Sequence, residues 1–186
     1  MSDDKPLPGD LDPDFYTTVG EIASDWGTLE YVVSQCMWSA AQVDEQLGAC
    51  ITAQIASLPA KLESLALLLR ARGVSARLMS DFQRFIQDSR RPTELRNRAV
   101  HDPLGVHKED SEPRQLQVTA RGKLVFEVRK ITLEDMIKNA REIAAFLDRF
   151  FNLRDRIEGE LSTLPYTSRT LFPQILRSPR QTQPTC

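Results

Sequence analysis

The chain has few of the side chains that metal and covalent chemistry require. Only two of its 186 residues are histidine, His101 and His107, and only three are cysteine. Two histidines leave little for a hydrolytic metal centre, so no metal is expected. Cys36, Cys50 and Cys186 are odd in number and widely spaced, which fits neither a disulfide framework nor a zinc site. Reduced thiols in a cytoplasm are the expectation, with Cys36 and Cys50 as small core residues. There is no Gly-rich phosphate loop and no serine elbow, so no nucleotide cofactor is expected. No apolar run is long enough to cross a bilayer. The start, Met1-Ser2-Asp3-Asp4-Lys5-Pro6, does not read as a signal peptide, and no membrane partner is expected. A net charge of −2 gives no overall attraction to nucleic acid.

The distribution of charge says more. Residues 70–98 carry eight arginines against Asp81, Asp88 and Glu94, and no lysine. Arginine forks suit phosphate better than ammonium groups do. The plainer reading is a solvated helix face with local ion pairs, such as Glu94 with Arg98 four residues on.

Hydrophobic spacing predicts a mainly all-α protein. Asp12-Pro13 reads as an N-cap and first-turn proline. From there Phe15, Val19, Ile22, Trp26, Leu29, Val33, Met37 and Ala40 recur at helical spacing. A short helix is expected within 44–57. The next starts at Ser57-Leu58-Pro59 and ends at Gly73, with Leu62, Leu65, Ala66 and Leu69 as its stripe. Ser75 opens another, whose buried face is Leu78, Phe82, Phe85 and Ile86. Pro92 predicts a break and restart near Arg91. Residues 115–119 and 123–128 alternate about Ala120-Arg121-Gly122, which predicts a β-hairpin spanning about 114–129. Thr132 to Asp135 then open the last long helix in a capping-box arrangement. Its predicted core face is Ile137, Ala140, Ile143, Ala144, Leu147, Phe150 and Phe151. The expected architecture is a four- to five-helix bundle over 13–160, with the hairpin inserted before the last helix. Flexible ends are expected at 1–12 and 161–186.

The informative stretch is Leu95-Arg96-Asn97-Arg98-Ala99-Val100-His101, followed by Asp102-Pro103. An arginine holds phosphate, and a histidine moves protons near neutral pH. On a helix Asn97 and His101 lie about 40° apart and share a face, whereas Arg96 sits about 140° from His101. The two meet only if the last turn unwinds, which Pro103 favours. The plain alternative is a capped helix end, with Arg96 paired to Asp102 or another acidic partner and His101 bonded to a carbonyl.

This stretch resembles the R-x4-6-H motif of the HEPN superfamily, the higher eukaryote and prokaryote nucleotide-binding domains. The polar residue after the arginine, Asn97 here, belongs to that pattern. Arg-Asn-x-x-x-His with Asp-Pro after it also resembles a set of bacterial HEPN-like proteins without an assigned function. The likeness in helix order covers about 13–157; the residue-level likeness covers 95–103. It implies a metal-independent endoribonuclease acting as a homodimer, of toxin or phage-defence type, with RNA as substrate and an antitoxin or other protein as partner. Arg96 would bind the scissile phosphate, His101 would act as general acid or base, and Asn97 would orient His101 or touch the phosphate. Arg90, Arg91, Arg98 and His107 are further candidates for RNA contact. One departure matters. Some HEPN toxins carry a tyrosine two residues after the histidine that a partner enzyme modifies; Pro103 stands there, and that regulation does not carry over. The alternative function is a non-catalytic HEPN-like module that binds a protein, a nucleotide or RNA.

Overall fold

A computed structural model describes residues 11–119 and 124–165. The expected loose end before residue 11, the tail beyond 165 and Cys186 lie outside the described residues. Helices dominate: α1 (Pro13–Ala41), α2 (Glu45–Thr52), α3 (Leu58–Arg72), α4 (Ala76–Asp88), α5 (Arg90–His101) and α6 (Leu133–Thr163). A small antiparallel sheet precedes the last helix, with β1 (Leu104–Val106), β2 (Pro113–Thr119) and β3 (Val125–Lys130) in that order. The hairpin is therefore β2–β3, and β1 adds a third strand.

The helix ends fall where short side chains satisfy free backbone N–H groups. Asp12 accepts from the Asp14 amide at 2.9 Å, Asp44 from that of Leu47 at 2.9 Å, and the Ser75 hydroxyl from that of Leu78 at 3.2 Å. Gly73 closes α3 at φ 77°, a left-handed conformation that glycine adopts without steric cost. At the start of α6 the Thr132 hydroxyl accepts from the Asp135 amide, and the Asp135 carboxylate accepts from the Thr132 amide. Hydrogen bonds from the Thr132 hydroxyl and amide hold the Asp135 carboxyl below its ordinary range. Its folded-state pKa is thus lower than in the unfolded chain. That stabilisation is present above the unfolded value and is lost as pH falls through the folded one. Thr132→Val is expected to flatten the acid limb of a pH-dependent urea melt and to leave the neutral plateau less affected.

The core forms where α1 and α6 pack along each other, with α3 and α4 alongside. Ile22, Leu29, Leu62, Leu65, Leu69, Phe82, Phe150 and Ile157 are fully buried. Three expectations change here. On α6 the buried face is Met136, Ile143, Phe146, Leu147, Phe150, Leu153, Ile157 and Leu161. Ile143, Leu147 and Phe150 of the expected face are buried, whereas Ile137, Ala140 and Ala144 are half-buried and line an open groove against α1. The helix continues to Thr163, held by the burial of Ile157 and Leu161. Cys36 is buried, and burial pushes its thiol up to about 12, but Cys50 is exposed. The buried positions of α2 are Gly48 and Thr52, four apart, and Cys50 lies on the opposite side.

Gly48 is where α2 docks. The Trp38 indole lies over it and donates to the Thr52 hydroxyl at 3.1 Å. A Cβ on Gly48 would stand 2.4 Å from Trp38 Cγ, at the root of the ring. Gly48→Ala is expected to cost about 1–3 kcal/mol, as overpacking does, read as a lower urea midpoint.

The sheet is turned unusually. Leu104, Gln115 and Gln117 lie on the face toward the helices, and the Gln115 side chain donates to the Arg98 carbonyl at 2.9 Å. The opposite face carries Leu116 and Val118 opposite Val128 and Phe126. Val118, Phe126 and Val128 are all exposed. The more apolar side of the hairpin is thus left exposed, with Val118 at the edge of a groove beside α3 and α5.

Candidate active site

The break before α5 positions the candidate residues. α4 stops at Asp88 and α5 starts at Arg90. Ser89 joins them, its hydroxyl donating back to the Ile86 carbonyl at 2.7 Å. Pro92 falls in the first turn of α5, where its missing N–H leaves no bond broken. The helix stays regular through His101, and Asp102 in extended conformation ends it before Pro103.

At that end three side chains meet. Arg96 Nη1 lies 3.0 Å from His101 Nε2 and donates to Asn97 Oδ1 at 3.0 Å. The last turn does not unwind. The long arginine stem spans the angular offset that the helix imposes. An arginine N–H facing Nε2 requires a lone pair there, so this geometry selects the tautomer protonated at Nδ1. His101 and Asn97 are exposed, and Arg96 is half-buried.

Trp26 of α1 completes the arrangement. The Arg96 guanidinium carbon stands 5.9 Å from the centroid of its indole, within cation–π range. The Trp26 Nε1–H donates to Glu30 at 3.0 Å, which fixes the ring plane. Arg96 Nε is buried and has no hydrogen-bond partner among the described residues. The guanidinium is therefore held against a ring on one side, with its buried Nε–H unsatisfied. Sequence spacing placed Trp26 in the core stripe of α1 and gave no sign that it lies under Arg96. That contact depends on how α5 crosses α1.

Asn97 and His101 open onto a groove of about 900 Å³. Its walls include Glu63 of α3, Arg90, Glu94 and Arg98 of α5, Asp102, and Val118 of β2. Arg98 pairs with Asp102 at 3.0 Å and with Glu94 at 3.7 Å, the second being the pair its spacing predicted. Asp102 therefore pairs with Arg98 and not with Arg96. The other candidates for RNA contact are dispersed. Arg90 is exposed on the groove wall. Arg91 makes two bonds to Glu142 of α6, at 2.6 and 3.1 Å, and this pairing keeps its guanidinium protonated even more firmly than usual. His107 sits in the turn after β1 with Nδ1 3.3 Å from Asp110, away from the groove walls. Among the described residues no three His, Cys, Asp or Glu side chains are grouped as a metal ion would need, and no helix is long and apolar enough to cross a membrane.

No family of known proteins, no curated protein and no solved structure matches this chain.

Proposed function

We propose that this chain is a metal-independent endoribonuclease of the HEPN kind, working as a homodimer in a toxin or phage-defence role. The observation that carries the reading is the Arg96–His101 contact at 3.0 Å, with Asn97 on the same guanidinium, at an exposed helix end beside a groove. Arg96 holds the scissile phosphate and offsets the negative charge that builds on its oxygens. A phosphate that draws the guanidinium toward itself leaves the Nε2 lone pair of His101 open. His101 then takes the proton from the ribose 2′-hydroxyl. The 2′-oxygen attacks phosphorus, the P–O5′ bond breaks, and the imidazolium of His101 gives its proton to the leaving 5′-oxygen. The products are a 2′,3′-cyclic phosphate and a 5′-hydroxyl. Asn97 positions the guanidinium between phosphate and imidazole. An antitoxin or other protein is the expected regulatory partner.

The test is RNA cleavage in EDTA with the product ends identified. Cyclic phosphate ends that vanish in His101→Ala support the reading. Cleavage that persists in both His101→Ala and Arg96→Ala overturns it.

A second reading, a non-catalytic helical binding module, is favoured by the charges of the groove. Arg90 and Arg98 face Glu63, Glu94 and Asp102 there, so its walls carry no surplus of cations for phosphate. Under that reading a folded wild type cleaves nothing. It binds a protein partner with little salt dependence, or RNA with a steep one.

A further inference from the structure

We propose that β3 is a self-pairing edge, through which two copies of this chain join their three-stranded sheets antiparallel into one of six strands. The inference rests on the dimeric part of the reading above and gives it a surface. In the order β1-β2-β3, β3 is an outer strand, and all six of its residues are exposed. Folded proteins commonly blunt such an edge with proline, a bulge or a covering segment. β3 has neither proline nor bulge in its run; the charges it carries are paired, Glu127 with Arg129 and Lys130 with Glu112, and its register with β2 is unbroken from Val125 to Lys130.

The hydrogen-bond phase of the strand fixes which groups are available. The Ile131 amide donates to the Pro113 carbonyl at 3.1 Å. Alternation along an antiparallel ladder then turns the amides and carbonyls of Val125, Glu127 and Arg129 toward β2. Those of Phe126, Val128 and Lys130 point out of the sheet. A second β3 must bond through the same three residues, so the two strands meet with these positions opposite one another.

Charge selects among the registers that remain. With a two-fold axis at Val128, Glu127 lies opposite the partner's Arg129, and Arg129 opposite the partner's Glu127. These are non-hydrogen-bonded positions, where side chains approach most closely. Sliding by one step either way sets Glu127 against the partner's Glu127, or Arg129 against the partner's Arg129. Within one chain Glu127 and Arg129 already pair at 2.8 Å, so exchange between copies keeps both charges satisfied. The same register sets Val128 beside the partner's Val128 and Phe126 beside the stem of the partner's Lys130. The outward apolar face of each hairpin becomes continuous across the join.

Sedimentation of the full chain across a dilution series tests this. The wild type is expected to be a dimer. Val128→Pro removes an outward N–H that β2 does not use, as edge strands tolerate. It is expected to weaken association at least tenfold with an unchanged far-UV dichroism spectrum. Glu127→Arg is expected to give a monomer, and adding Arg129→Glu to that variant restores the dimer. A monomeric wild type, or a dimer indifferent to both Val128→Pro and Glu127→Arg, overturns the proposal. RNA cleavage measured in parallel separates the two ideas. Cleavage by an indifferent dimer removes the β3 edge and leaves the dimeric nuclease; cleavage by a monomer removes the edge and the dimer together and leaves only the Arg96–His101 chemistry. A dimer that responds as stated but cleaves nothing keeps the edge and removes the nuclease.

Discussion

Replacing His101 by alanine is expected to lower RNA cleavage by about 10²–10⁴-fold, the range that a positioned acid–base group supplies. The fold should not change. His101 is exposed at the last position of α5, and its side chain supports no core contact. Arg96→Ala is expected to cost about 10²–10³-fold, comparable to losing one preorganised donor to a developing oxyanion. The two losses should not multiply. Arg96 Nη1 touches His101 Nε2 directly, so each residue does part of its work through the other. Arg96→Lys is the informative companion. It keeps the charge and loses the planar fork that reaches imidazole, Asn97 and phosphate together, so it should behave nearly as badly as alanine. Initial rates in EDTA, with far-UV dichroism on each variant, check all of this. A lysine variant with near wild-type rate would mean that Arg96 acts only as a point charge.

The largest expected loss of stability is at Phe150. Its ring is fully buried on α6 and lies 5.3 Å from the ring of Phe85 on α4. Phe85 in turn stacks on Phe146 at 4.3 Å, with the planes 10° apart. These three rings tie α4 to α6, and α4 leads into α5 through Ser89 alone. Phe150→Ala should cost about 3–5 kcal/mol, because the lost transfer energy is joined by an unfilled cavity. For a chain of this size that is a fall in Tm of roughly 10 °C. The urea midpoint should drop with an unchanged slope. A loss below about 1 kcal/mol would show that neighbouring side chains collapse into the space.

How far the sequence carried depended on how local each feature is. Caps at Asp12, Ser57, Gly73, Ser75 and Thr132 were legible because a cap is made within four residues. The break before α5 was legible from Pro92 for the same reason. The buried face of α6 was legible only in part: Ile143, Leu147 and Phe150 followed from the spacing, and Met136, Phe146 and Leu153 did not. Its sequence offers two adjacent apolar stripes, one through Ile137, Ala140 and Ala144 and one through Met136, Ile143, Leu147 and Phe150. Only the position of α1 decides between them. β1 was missed because three residues are too few to alternate visibly. Its place is set by bonds to β2, such as the Leu116 amide to the Pro103 carbonyl at 2.9 Å. At the candidate site the spacing found Arg96, Asn97 and His101, and treated the angle between Arg96 and His101 as an obstacle. A wheel projection tracks Cα directions and ignores the reach of a long side chain. The spacing of Cys50 two residues from Gly48 and Thr52 did contain its exposure, since a helix turns those positions to opposite sides.

The Trp26–Arg96 contact has an optical consequence. The chain contains two tryptophans, and Trp38 is clamped between Gly48 and Thr52, away from α5. Trp26 alone carries a cation against its ring at the helix end that bears His101. In a Trp38→Phe background, excitation at the red edge of the indole band, beyond tyrosine absorption, reports Trp26. Any anion that pulls the guanidinium off the indole changes the emission of that ring, whether or not a bond is later cut. The protein thus carries its own dye at the candidate site, and a titration with uncleavable oligonucleotide would separate binding from catalysis without a label.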